Sequence, residues 1–215
     1  MKTIAIHINI GSNSGHREAL IEQAVAAISS AFPGAAVSRS GIVETPPWGF
    51  DSPNPFLNIG VMVEGRFSDI AAVLKNGTDD KFRSESPEQV SDSFSKSNQD
   101  CRGGKAVLAT LHDEISLTML REEVALAVLR KLQDIQRSID PSPHRDAEGR
   151  YIDRAIDIDL IAIDDWVVDT PELTLPHPRM HLRDFVLIPL AGLAPTWRHP
   201  LTGKTATQHL SDLTD

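Results

Sequence analysis

Ala155-Ile156-Asp157-Ile158-Asp159-Leu160-Ile161 alternates apolar and polar residues with period two, which predicts a strand with Ile156, Ile158 and Leu160 on one face. Asp157 and Asp159 then share the other face, their Cα atoms roughly 6.5–7 Å apart. Two carboxylates side by side repel each other, so one takes a raised pKa unless a cation sits between them. A hard divalent cation relieves the repulsion, and a pair at this spacing would straddle two Mg²⁺ ions about 3.5–4 Å apart. A bare Asp-x-Asp fits an edge strand with a solvated polar face equally well. The surroundings favour the first reading: Arg154 precedes the strand and Pro176-His177-Pro178-Arg179 follows it. Both bring cationic groups toward the carboxylates, as phosphate handling requires.

The other elements are placed outward from this strand. Thr3 to Ile10 reads as a first strand and leads into Gly11-Ser12-Asn13. A helix with Leu20, Ile21, Ala24, Ile28 and Ala31 on one side follows, stopped by Pro33-Gly34. Ala36 to Thr45 and Phe56 to Glu64 read as strands, with Pro46, Pro47, Trp48 and Phe50 in the loop between them. Ala106 to Leu111 looks strand-like. Met119 to Ser138 is the clearest helix, with Leu120, Val124, Val128, Leu132 and Ile135 on one face. Phe185 to Leu193 is a short apolar helix. The order β-α-β-β-α-β predicts an α+β domain: a ferredoxin-like antiparallel sheet covered on one side by two helices. Between Lys75 and Gly104 serines and charges dominate, so a long polar insertion is expected there, at about 65–116 of a single domain spanning 1–215.

Composition sets limits on partners. The 215 residues carry a net charge of −9 and are 40% hydrophobic. That is enough for a core, and it is the wrong sign for nucleic acid or an anionic membrane. A small anionic substrate remains compatible if metal ions and a few arginines reverse the field in one cleft. The one cysteine, Cys101, allows no intramolecular disulfide and fits a reducing compartment, so a soluble, cytoplasmic protein is expected. No apolar run reaches the ~20 residues of a membrane span.

Seven motifs occur in order: Gly11-Ser12-Asn13, Glu44-Thr45-Pro46-Pro47-Trp48-Gly49, Phe56-Leu57-Asn58, Asp153-Arg154-x-x-Asp157-Ile158-Asp159-Leu160, Pro176-His177-Pro178-Arg179-Met180, Phe185-Val186-Leu187-x-Pro189-Leu190 and Ala194-Pro195. Together they resemble the 6-hydroxymethyl-7,8-dihydropterin pyrophosphokinases, folate-pathway enzymes that move diphosphate from ATP to a pterin alcohol. The resemblance implies that Asp157 and Asp159 hold two Mg²⁺ ions bridging the ATP phosphates. It implies that Arg154 and His177 contact those phosphates, with Arg183 near the triphosphate tail and Gln133, on the inner face of the long helix, reaching ATP. Phe56 and Phe185 would sandwich the flat pterin, Asn58 would pair with its amide-like edge, and the backbone around Thr45, Pro46 and Pro47 would complete the pocket. The loops Thr45 to Pro55 and Pro141 to Asp153 would close over the ligands to exclude water.

One stretch departs from the resemblance. Where a Trp-Gly-Pro-Arg is common, this chain has Tyr151-Ile152-Asp153-Arg154, and Gln136 stands where a glutamate is common. Each residue also has a plainer job open to it: Phe56 and Phe185 in packing, His177 in a turn, and Asn13 as a cap of the first helix. A Mg²⁺-dependent phosphohydrolase or nucleotidyl transferase would use the same Asp-x-Asp. A non-catalytic ferredoxin-like binding module is the third reading, with the acidic balance against RNA.

Overall fold

A computed structural model describes residues 2–75 and 102–214 of the chain. Strand β1 (Thr3–Ser12) is central because it supplies both faces of a sheet. Ile4, Ile6, Ile8 and Ile10 are all buried in one core, while His7, Asn9 and Gly11 alternate with them and face the other way. β1 pairs antiparallel with β4 (Phe56–Arg66) on one side and with β5 (Asp157–Ile163) on the other. β2 (Ala36–Arg39) and β3 (Val43–Thr45) pair with successive stretches of β4, giving the order β2-β4-β1-β5 with β3 beside β4. The expected single strand from Ala36 to Thr45 is therefore two. The break falls at Ser40, whose Oγ accepts from the Gly60 N–H (3.0 Å) and whose own N–H donates to the Gly60 carbonyl (3.0 Å).

The aspartate strand alternates as its sequence requires. Ile158 and Leu160 enter the core with Ile156, and Asp157 and Asp159 face away. The register shifts next: Ile8 pairs with Leu160 and His7 with Ala162, so Ile161 is left over as a bulge. The extra residue turns Ile161 to the opposite face and returns Ile163 to the first core.

Helices α1 (Arg17–Ala31), α2 (Phe67–Lys75) and α3 (Arg102–Ile139) cover the isoleucine face. Ile21, Ala24 and Ile28 of α1 meet Val124, Val128, Leu132 and Ile135 of α3 there, and each large side chain so buried contributes about 1.5–3 kcal/mol. The expectation of helices on one side only is not met. α4 (Asp184–Leu193) and α5 (Ala206–Thr214) close part of the other face, around Ile161, Met180, Val186, Leu187, Leu190 and Ala206. Gly60 permits this approach, since a Cβ there would lie 2.8 Å from the Pro189 Cβ.

Two further differences concern the middle of the chain. β4 runs through Arg66, and α2 buries Ile70 and Leu74, so regular structure continues past residue 65. Ala106 to Leu111 is helical, not a strand. A six-residue apolar run carries no period of its own. With no Gly or Pro from Lys105 to Ile139, it simply extends the helix that follows. Cys101 and most of the polar insertion lie outside the described residues. A small hairpin, β6 (Val168–Asp169) with β7 (Thr174–Leu175), leads through a cis Leu175–Pro176 bond into the Pro-His-Pro-Arg segment.

Candidate active site

The half of the second sheet face left open by α4 carries the polar residues of three strands in register. One row runs Asn58–Gly11–Asp157 and the next runs Gly60–Asn9–Asp159. Period-two alternation on each strand, combined with these pairings, brings Asn58, Asp157 and Asp159 into one cleft. Of the two glycines, Gly60 lies under α4 and Gly11 lines the cleft. At Gly11 a Cβ would come within 2.9 Å of Asn58 Oδ1 and 3.3 Å of the Phe56 ring.

Above the carboxylates sit two arginines. Arg154 Nη2 lies 3.0 Å from Asp157 Oδ2, and Arg183 Nη1 lies 3.3 Å from Asp159 Oδ2. Their side chains are only 13% and 9% exposed, so both charges are held in the wall of the cleft and not in bulk water. The Nε–H of each is buried with no hydrogen-bond partner among the described residues, an unmet demand that a shift of the guanidinium onto an acceptor would relieve. Arg154 is fixed from behind: its N–H donates to Asn13 Oδ1 (2.9 Å) and its carbonyl accepts from the Asn13 N–H (3.2 Å). Asn13 thus holds the arginine loop, and the first helix begins after His16 without a side-chain cap.

Even with both arginines present, burial and the charge of Asp159 push the Asp157 carboxyl up to about 7, which Arg154 and Arg183 only partly oppose. His177 is placed by its N–H donating to the Ile161 carbonyl at the bulge (2.7 Å). Burial holds its imidazole below the ordinary value, against the pull of Asp159. His144 Nδ1 approaches Asp157 Oδ1 at 3.7 Å, and burial and the Arg154 charge keep it too on the neutral side.

Beside the charged half lies an aromatic half. Phe56 and Phe185 both line the cleft, with Asn58 and Thr45 nearby; Asn58 Nδ2 donates to Thr45 Oγ1 (3.1 Å), which fixes the amide. Arg154 stands over the Phe56 ring at 5.3 Å and Arg183 over Phe185 at 5.5 Å, so the two halves share a border. Asn9 joins the sheet to α4. Its amide NH₂ faces the Phe185 carbonyl (3.1 Å) and the Ile59 carbonyl (3.3 Å).

Eleven of the twelve side chains singled out from the sequence fall in or beside this cleft. Arg154, Asp157, Asp159, His177, Arg183, Thr45, Pro46, Phe56, Asn58 and Phe185 line it, and Pro47 flanks Pro46 without lining it. Gln133 is the correction: it is exposed, because Leu132 and Ile135 take the inner face of α3. Gln136 takes the inward polar position, its Oε1 accepting the Ile158 N–H at 2.6 Å. Asn9, Trp48, His144, Tyr151 and Arg179 also line the cleft. The alternation of β1 contained the signal for Asn9, and Arg179 belongs to the segment expected to carry a cation toward the carboxylates; for Trp48, His144 and Tyr151 the proximity comes from loop positions that no local pattern encodes.

The residues present fit a divalent metal. Two carboxylates in a half-buried, mutually repelling pair are a hard oxygen donor set. No cluster of three or more His, Cys, Asp or Glu side chains suited to a metal exists among the described residues. Most of an octahedral shell is thereby left to phosphate oxygens and water, the mode in which Mg²⁺ accompanies nucleotides.

Paired carboxylates, two arginines with spare donors and an adjoining aromatic–amide slot define a site for phosphoryl transfer to a flat, polar substrate. The family profile described as 7,8-dihydro-6-hydroxymethylpterin-pyrophosphokinase matches residues 7–79 and 115–195, and the chain belongs to that family. The match breaks between residues 79 and 115, inside the stretch 65–116 expected to hold the polar insertion. The chain is 31% identical over 196 residues to a 2-amino-4-hydroxy-6-hydroxymethyldihydropteridine pyrophosphokinase of Porphyromonas gingivalis, covering 91% of this chain and 93% of that protein. Enzymes of the same name match over shorter stretches: 49% over 55 residues in Synechocystis, 26% of this chain and 28% of that one, and 38% over 69 residues in Pseudomonas aeruginosa, 32% and 43%.

Proposed function

We propose that this chain transfers the diphosphate of ATP to the hydroxyl of 6-hydroxymethyl-7,8-dihydropterin, forming the pterin diphosphate and AMP in folate biosynthesis. The observation that carries this reading is the row Asn58–Gly11–Asp157. It sets an amide suited to the pterin edge two strands from the carboxylate that would handle the nucleotide phosphates, with only Gly11 between them. The strand order β2-β4-β1-β5, all antiparallel, is read as a ferredoxin-like sheet of one domain, with the polar insertion between its two matched parts.

Phe56 and Phe185 would stack on the pterin faces, and Asn58, held by Thr45, would offer it a donor and an acceptor. Arg154 and Arg183 would release their carboxylates in favour of phosphate oxygens, turning the Nη donors that now meet Asp157 and Asp159 to the nucleotide. His177 would add a hydrogen bond to the phosphates. Asp157 and Asp159 would hold two Mg²⁺ ions, which when bound neutralise phosphate charge on both sides of the breaking bond. Asp157, whose protonated form burial favours, would hold the metal in its ionised form. The substrate hydroxyl would attack directly, without a covalent enzyme adduct; no serine or cysteine lines the cleft among the described residues. Closure of the 45–55 and 141–153 loops would keep water out. The setting is the cytoplasm, and the partners are small molecules; no helix among the described residues is long and apolar enough to cross a membrane.

The nucleotide product tests the function. With reduced hydroxymethylpterin and Mg²⁺, AMP should appear in step with the consumption of pterin. ADP would point instead to hydrolysis or transfer of the terminal phosphate alone.

A further inference from the structure

Asp153 stands one residue before Arg154, where the resemblance led us to expect a proline, and it is hydrogen-bonded on both carboxylate oxygens. Asn13 Nδ2 donates to its Oδ1 (2.6 Å) and Asn54 Nδ2 to its Oδ2 (2.5 Å). Asn13 Nδ2 also reaches the Asn54 carbonyl (3.3 Å). Three segments distant in sequence therefore meet on one side chain: the end of β1, the 46–55 loop and the arginine loop. A proline would have no side-chain acceptor to join them. The knot ties the two halves of the cleft, because Asn54 lies two residues before Phe56 and Asp153 lies beside Arg154. A second contact runs parallel to it, with Phe50 of the 46–55 loop 6.4 Å from the Tyr151 ring.

We propose that Asp153 is a positioning residue that sets the 46–55 loop, and with it the aromatic half of the cleft, against Arg154. The carboxylate accepts from two amide donors, which a neutral amide in its place cannot do: it has one oxygen, and its NH₂ would face a donor. The ionised form is the one present. Burial pushes this carboxyl up, but hydrogen bonds from Ser52, Asn54 and Asn13 and the adjacent Arg154 charge outweigh it and hold it below the ordinary value. Asp153 touches no reacting atom in this reading. It acts through the placing of Phe56 and Arg154.

The inference rests on the proposed pterin–ATP reading of the cleft, and its test separates the two. kcat and KM for the reduced hydroxymethylpterin are measured at saturating Mg·ATP for the wild type, Asp153→Asn, Asn54→Ala and the double variant Asp153→Asn/Asn54→Asp. Loss of one charge-assisted hydrogen bond should raise the pterin KM about tenfold in each single variant. In the double variant the amide introduced at 153 donates to the carboxylate introduced at 54 and still accepts from Asn13, so KM should return to within about threefold of wild type. Melting temperatures report folding. Asn54 is exposed, so Asn54→Ala decides the matter if Asp153→Asn does not fold. An unchanged KM in Asn54→Ala, a loss confined to kcat, or a double variant no better than Asp153→Asn would overturn the proposal. An inactive wild type would overturn the reading of the cleft instead.

Discussion

Asp157→Asn should make the metal-free protein more stable while disabling it. The carboxyl rises from 3.8 to about 7 in the folded chain, which corresponds to about 4 kcal/mol of cost for carrying the charge in the native cleft. The sign follows from proton counting. Between those two pH values the folded state binds a proton that the unfolded state has lost, so stability falls as pH rises through that window. The full cost is present above about pH 7 and absent below 3.8. Replacing the carboxyl by an amide removes it, but also removes the 3.0 Å partner of Arg154, and the guanidinium left without a counter-charge gives back about half or more of the gain. The net is about 1–2 kcal/mol at pH 8, which for a chain of this size is a melting point about 3–6 °C higher. Calorimetry of both proteins from pH 4.5 to pH 8 in EDTA is the assay, and the advantage of the variant should grow with pH. Turnover with Mg·ATP should drop about 100- to 1000-fold, as when one electrostatic stabiliser is removed from an active site. Parallel pH curves, or a variant less stable than wild type throughout, would refute the argument that burial and Asp159 load this carboxyl.

Two other substitutions probe the aromatic half. Phe185→Ala should weaken pterin binding by about 1–3 kcal/mol, the range for a ring stacked on an aromatic, with little change for ATP. Equal losses for both ligands in titration calorimetry would make Phe185 a packing residue. Gly11→Ala should raise the pterin KM more than the ATP KM, because its Cβ would press on Asn58 Oδ1 and the Phe56 ring at 2.9 and 3.3 Å. Steady-state kinetics in both substrates would show whether that asymmetry exists.

The face assignments were legible wherever one periodicity ruled a strand. Ile156, Ile158 and Leu160 told that Asp157 and Asp159 look the other way, and the isoleucines of β1 did the same for Asn9 and Gly11. Where residues served two surfaces the sequence misled. Both faces of β4 are buried, one against α1 and α2 and the other against α4, so its apolar run said nothing of the second helical layer. The bulge at Ile161 and the break at Ser40 come from pairing partners distant in the chain, which local pattern does not encode. Asn13 read as a cap because Asn before a helix commonly is one; its role in holding Arg154 depends on a loop 141 residues away. Gln133 was misplaced by a single residue's rotation on α3, about 100° from Leu132, enough to turn it from the core to solvent.

The central claim is that this cleft moves two phosphates as a unit between bound substrates. ATP labelled at its β-phosphorus tests it most directly, with reduced hydroxymethylpterin and Mg²⁺ present. The label should leave with the pterin together with the γ-phosphate, and unlabelled AMP should remain. Label retained in ADP, or found covalently on the protein, would contradict the account.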